Sequence, residues 1–215
     1  MTQPAPMARK GRDFIARHGE TVFNAARRLQ GDHPHTPLTR AGFAQADAIG
    51  LALRALLGVR PALTLWASPT GRALQTLAVI AEHLELDWHA ARTDERLVEI
   101  GMGSWGGRYY ADVIGEVGPV VTAEGLLRPA ADGEDYHRIA LRVGSWLADT
   151  AEDAGDRLVV MHGISSRVLR GVMTGVAAHP EWGAPIAPGL PQGSLVLVEG
   201  GRESVAHLGT GHAPA

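Results

Sequence analysis

Two stretches of this sequence, Arg17-His18-Gly19-Glu20-Thr21 and His162-Gly163, set an imidazole directly before a glycine. Each follows an apolar run, Phe14-Ile15-Ala16 in one case and Leu158-Val159-Val160-Met161 in the other, that reads as a buried strand. A glycine at a strand end lets the chain turn sharply and brings a backbone N–H close to an anion. Two imidazoles delivered in this way can converge on one small ligand. Arg17 and Arg72, the latter in Ser68-Pro69-Thr70-Gly71-Arg72, add planar guanidinium groups whose shape matches a phosphoryl group. Arg72 falls in the first turns of a predicted helix, whose positive end faces the same way. Taken singly, each histidine is more often structural, and Arg72 is more often paired with a nearby acid. The five-residue string at 17–21, and the placing of all three elements after strands, carry the reading toward phosphoryl chemistry.

The elements that must hold these residues alternate along the chain. Strands are expected over 12–16, 62–68, 88–91 and 156–161. The helix over 39–57 has Thr39 as N-cap and Phe43, Ala46, Ile49, Leu53 and Leu56 at helical spacing. Further helices run from Pro69 to about Leu84, from Glu134 to about Thr150 with Ile139, Val143, Trp146 and Leu147 on one face, and from Gly163 to about Val172. Residues 94–132 are Gly-rich and aperiodic and read as a long loop or small helical insertion. The Pro/Gly-rich stretch 175–193 leads to two strands joined by Glu199-Gly200-Gly201-Arg202, a hairpin signal. This order predicts an α/β fold, a three-layer α/β/α sandwich on a mostly parallel sheet. Ligands of such sheets bind beyond the carboxyl ends of the strands. Arg17-His18, Ser68-Pro69 and His162-Gly163 should therefore open into one crevice.

Composition narrows the function classes. The 215 residues suit a single domain over 1–215, able to bury a core without disulfides. With 23 acidic against 20 basic residues the net charge is −3, which provides no footprint for nucleic acid or an anionic membrane. No apolar run approaches membrane-span length. The first ten residues hold no apolar stretch, which predicts a loose tail and no secretory signal. There is no cysteine, so thiol nucleophiles and thiolate metal sites are excluded and a cytoplasmic location is expected. Only Lys10 among the basic residues is lysine, so an arginine counts here only in a specific context.

The motifs RHGETVFN (17–24), RLQG (28–31), PLTRAGFAQA (37–46), SPTGRALQT (68–76), ERLVEIGMGSWGG (95–107), DGEDYHRIALRV (132–143) and LVVMHGISSRVL (158–169) resemble the histidine phosphatase superfamily, phosphoglycerate mutase-like branch. They stand in the family's order and spacing from Arg12 to about Leu208. The resemblance implies that His18 attacks phosphorus and becomes a phosphohistidine. It implies that Arg17, Arg72 and His162 form the phosphate pocket, with Gly163 beside it, and that Thr21 and Asn24 bond the phosphate or orient the loop. Glu99 matches the family's general acid, with Asp32 or Glu134 next in line should it fail. Surrounding arginines should keep His18 unprotonated. Two departures from the family pattern are His35-Thr36-Pro37-Leu38-Thr39 before the long helix, which bears on the local loop, and Gly133-Glu134-Asp135, which bears on a contact at the pocket rim.

The family divides into mutases and phosphatases. Mutases follow the acid with Glu-Arg-x-Tyr-Gly and carry an arginine pair in a longer insertion. Here Ile100-Gly101-Met102-Gly103 follows Glu99, residues 115–131 hold only Arg128, 63 positions separate Glu99 from His162, and there is no long mutase-type C-terminal tail. This resembles the phosphatase branch, with a mutase as runner-up. A non-catalytic phospho-ligand module, the reading from another class, should have lost His18 or Glu99. The expected partner is a small-molecule phosphomonoester, recognised through segments 100–132 and 175–192, and a homodimer fits the class. No cofactor or metal is expected: His33 and His35 near Asp32 lack a third ligand in register. Trp105, Tyr109 and Tyr110 either line a substrate pocket or pack the 100–132 segment.

Overall fold

The computed structural model describes residues 6, 7 and 9–211. Three apolar runs form the centre of its sheet: β1 (Asp13–Arg17), β2 (Leu63–Ala67) and β4 (Asp156–Met161), joined at one edge by the two-residue β3 (Arg92–Thr93). These four are parallel, whereas β5 (Leu195–Glu199) runs antiparallel to β1 and β6 (Arg202–His207) antiparallel to β5. The strand order is β3-β2-β4-β1-β5-β6. The β5–β6 turn falls on Gly200 and Gly201, at φ of 55° and 75°, the left-handed pair that a tight hairpin requires.

Side chains alternate across the sheet with period two. Phe14, Ala16, Leu158 and Val160 point to one face, covered by α2 (Arg40–Leu57) and α3 (Gly71–Leu84). Ile15, Val159 and Met161 point to the other, covered by α5 (Tyr136–Asp149) and α6 (Gly163–Thr174). Burial on both faces is what makes these strands continuous apolar runs. The result is the expected three-layer sandwich. Two shorter helices, α1 (Val22–Ala25) and α4 (Tyr110–Val117), lie in the connections.

Several sequence expectations need correction. Thr39 caps α2 by accepting the Gly42 N–H at 3.1 Å, and Ala46, Ile49 and Leu53 are buried, but Phe43 and Leu56 are 41% and 51% exposed. The buried stripe runs instead through Gly42, Gln45 and Gly50, because α2 presses closely on its neighbours there. A Cβ on Gly42 would lie 2.0 Å from the Glu20 carbonyl oxygen, and one on Gly50 2.4 Å from the His83 ring. Residues 88–91 are not a strand: the Asp87 carboxylate accepts the His89 N–H at 2.9 Å and winds Trp88–Ala90 into a 3₁₀ turn. Strand pairing begins only at Arg92, opposite Trp66. Of the tail expected over 1–10, residues 1–5 and 8 lie outside the described residues. Arg9 is tied down, donating to the Asp13 carboxylate at 2.9 Å and to the Asp153 and Gly155 carbonyls at 2.8 Å each.

Candidate active site

β1 and β4 are adjacent and in register, with Arg17 opposite Met161, so the residues that follow them emerge side by side. The His18 and His162 rings meet edge to face with centroids 5.2 Å apart. His18 Nδ1 lies 2.7 Å from the Gly19 carbonyl oxygen. A carbonyl only accepts, so Nδ1 carries the proton in the neutral ring and Nε2 holds the lone pair. His162 has the opposite arrangement: its Nδ1 accepts from Arg72 Nε at 3.2 Å, so its proton sits on Nε2. That buried N–H has no partner among the described residues. Both histidines are held well below the ordinary value of 6.5, by burial first and by the Arg72 charge next, and stay neutral.

Arg72 is fully buried in the first turn of α3. Four of its five N–H groups are engaged, with His162, with the His33 and Gly31 carbonyls at 2.6 Å each, and with the Thr36 hydroxyl at 3.1 Å. The 31–36 loop is thus folded around Arg72, and Thr36, part of the first departure from the family pattern, is one of its acceptors. Arg17 donates through Nη1 to the Leu190 carbonyl at 2.8 Å. Burial pushes both arginines down to about 10, which leaves them charged at neutral pH.

Glu99 arrives from the 94–132 segment that follows β3. Its Oε1 accepts the Ile100 and Ser165 N–H groups at 3.0 and 2.8 Å, and its Oε2 accepts that of Ile164 at 2.9 Å. Ile164 and Ser165 belong to the first turn of α6, whose free N–H groups and positive end suit a carboxylate. Glu99 is thereby docked on the residues immediately after His162-Gly163. Oε2, with a single N–H, keeps a lone pair for a proton.

The segment carrying Glu99 is clamped by Arg142 of α5. Arg142 grips the Glu134 carboxylate at 2.7 and 2.9 Å and donates to the Arg96 and Glu99 carbonyls at 2.7 and 3.3 Å. Glu134 is therefore committed to this clamp. Asp135, the second departure from the family pattern, caps α5 by accepting the Arg138 N–H at 2.8 Å.

A cleft of about 410 Å³ is lined by Arg17, His18, Asn24, Glu99 and Gly163 among others, with Arg72 and His162 fully buried behind that lining. Thr21 is fully buried and outside the lining; its hydroxyl bonds Asn24 and Gln30 and so orients them. Of the three aromatic candidates only Tyr110 lines the cleft. Its phenol is pushed up to about 12, chiefly by burial. Tyr109 stacks under Arg28, and Trp105 packs against the core. His33 packs edge-on against Phe23, and among the described residues no three His, Asp or Glu side chains gather to hold a metal. Sequence reasoning singled out neither Arg142 nor Gln192, which also lines the cleft. Only the place of Arg142 at the end of a matched motif could have signalled it.

Relatives bear on this geometry. The Enterobacter sp. (strain 638) protein named "Probable phosphoglycerate mutase GpmB" is 33% identical over 179 residues, covering 78% of this chain and 77% of that one. The solved structure of Bacillus stearothermophilus YhfR superposes with a TM-score of 0.72 at 25% identity, over 91% of this chain and 95% of the other. A mycobacterial glucosyl-3-phosphoglycerate phosphatase, solved with VO3, has the same fold with a TM-score of 0.72 at 23% identity, over 94% and 100% of the two chains. The description "Histidine phosphatase superfamily (branch 1)" matches residues 14–208, and the chain belongs to that family.

Proposed function

We propose that this protein is a phosphomonoester hydrolase that acts through a phosphohistidine on His18. The observation that carries the reading is the pairing of proton positions in the two histidines. One presents a lone pair at Nε2 and the other an unpartnered N–H at Nε2, in a site that already holds two guanidinium charges. That arrangement suits in-line attack on phosphorus, with donors waiting for charge on the non-bridging oxygens. His18 Nε2 bonds to phosphorus as the ester P–O bond breaks, and Glu99 gives its proton to the leaving oxygen. Water then attacks phosphorus, Glu99 takes a proton from it, and the P–N bond breaks to restore His18. Supporting relatives include the mycobacterial phosphatase named above. A brief incubation with labelled phosphomonoester, quenched in alkali, should trap acid-labile label on His18. Label on a serine would overturn the reading.

A phosphoglycerate mutase is the second reading, favoured by the name of the Enterobacter relative. Against it, Arg128 alone supplies basic charge in 115–131, and its guanidinium lies 3.7 Å from Glu181, outside the cleft lining. Incubation with 3-phosphoglycerate and 2,3-bisphosphoglycerate separates the two: the hydrolase releases inorganic phosphate without forming 2-phosphoglycerate.

A further inference from the structure

Gln192 stands in Leu190-Pro191-Gln192-Gly193-Ser194, the segment that leads into β5. Ala16 of β1 pairs with Leu195 of β5, so this antiparallel neighbour brings residues 190–194 past the carboxyl end of β1, where His18 emerges. The segment's backbone is held at three points. The Leu190 carbonyl accepts from Arg17 Nη1 at 2.8 Å, the Ser194 carbonyl from the Arg17 backbone N–H at 3.0 Å, and the Gln192 carbonyl from the Gly211 N–H at 3.3 Å. The Gln192 side chain is thereby fixed in a wall of the cleft that also contains Arg17, His18, Glu99 and Gly163.

Gln192 is only 1% exposed, yet neither its Oε1 nor its Nε2 has a hydrogen-bond partner among the described residues. The great majority of buried side-chain polar atoms are paired, so an amide open at both ends calls for an explanation. Its neighbours within the site provide one. Glu99 is satisfied by three N–H groups and Arg72 by four acceptors, whereas both ends of the Gln192 amide, the His162 Nε2–H and the Ser165 hydroxyl have no partner among the described residues; of these residues Gln192 is the one in the cleft lining. An unpaired amide in the lining of the cleft is available to whatever the cleft binds.

We propose that Gln192 is a phosphoryl-binding residue of this site. Its Nε2–H donates to a non-bridging oxygen of the phosphoryl group, alongside the His162 Nε2–H, and its Oε1 accepts from a ligand hydroxyl. Either orientation of the amide presents one donor end and one acceptor end, so the assignment does not depend on which was placed. It rests on the hydrolase reading above.

Orthovanadate, which takes the trigonal bipyramidal shape of a phosphoryl in transfer, tests the proposal by titration calorimetry on the full chain. Gln192→Leu and Gln192→Met remove both polar ends at similar volume. Loss of a hydrogen bond to a charged group should weaken vanadate binding by about 10- to 100-fold. The same variants should keep or raise the melting temperature of the free protein, because an apolar side chain removes an unpaired buried amide. Gln192→Glu, which sets a carboxylate against the anion, should lose more. Wild-type vanadate affinity in natively folded Leu and Met variants overturns the proposal and leaves the hydrolase reading standing. A wild-type protein that binds no vanadate overturns both. Should the apolar variants fail to fold, Gln192→Asn, still an amide but one methylene short, must bind vanadate at least several-fold more weakly; unchanged affinity in that variant overturns the proposal as well.

Discussion

The floor of the cleft and its wall are built in different ways. His18 and His162 issue from the ends of two paired parallel strands, and ladder hydrogen bonds set their spacing. Glu99 sits in a segment with no strand of its own between β3 and α5. Side-chain hydrogen bonds hold that segment: Arg142 on the Arg96 and Glu99 carbonyls, Asp132 on the Ser104 N–H at 2.9 Å, and the Tyr136 hydroxyl on the Leu127 carbonyl at 3.0 Å. A nucleophile placed by backbone register is insensitive to its side-chain neighbours. An acid placed by a few guanidinium bonds depends on each of them.

The largest effect should come from the floor itself. His18→Ala removes the attacking nitrogen, and kcat should fall by several orders of magnitude in steady-state assays while the circular dichroism spectrum stays native. Next, Glu99→Gln should slow phosphoenzyme formation by about 10²- to 10⁴-fold for an alkyl ester, the usual worth of a positioned proton donor. For 2,4-dinitrophenyl phosphate, whose leaving group needs no proton, rapid-quench single turnover should show a far smaller loss. Equal losses would assign Glu99 to structure alone, as the anchor of α6.

Arg142→Ala sharpens the comparison because Arg142 does not line the cleft. Misplacing the acid should lower kcat by up to about 10²-fold, while vanadate affinity, which does not draw on the Glu99 proton, stays near wild type. Restoring one charge with Arg142→Lys should recover only part of the rate, since a lysine cannot span Glu134 and both carbonyls. Unchanged kcat in Arg142→Ala would show that the wall does not depend on this clamp.

Acid should act on the floor through both histidines. Their folded-state values lie below the unfolded value of about 6.5, so between the two the unfolded chain binds more protons. The melting temperature should be level above about pH 6.5 and fall as pH drops below it, with a shallower fall in His18→Ala. Phosphoenzyme formation should show no loss centred on the ordinary histidine value. The smallest effect belongs to Arg128→Ala: its half-exposed pair with Glu181 is worth at most about 1 kcal/mol, and hydrolysis should be unchanged. A large loss of activity would place Arg128 in substrate recognition and revive the mutase reading.

The floor was legible in the sequence because its signals are local: an apolar run, then Arg-His-Gly or His-Gly, with a helix to follow. The α2 stripe was misread at Phe43 and Leu56 because small residues, not large ones, mark where that helix is pressed against its neighbours. The 3₁₀ turn at Trp88 depends on one Asp87 bond that competes with extension. Glu99 could be named only through family resemblance, since its partners Ile164 and Ser165 lie 65 and 66 positions away. Gln192 carries no motif at all. Its meaning lies in bonds it does not make among the described residues, and no spacing rule encodes those.

Gly19 and Gly42 limit what the nucleophile can do during the proposed reaction. A Cβ on Gly19 would sit 2.2 Å from the Gly42 carbonyl oxygen, so the loop bearing His18 lies against the first turn of α2 with no space behind it. The backbone that carries the imidazole cannot shift toward α2 as phosphorus approaches. Between the ester oxygen and Nε2 the phosphoryl group must then do the travelling, carried over a stationary base. Nuclear displacement along the reaction coordinate would be concentrated in the substrate, so isotopic substitution at the phosphoryl oxygens should register more of the barrier crossing than substitution at the histidine nitrogen.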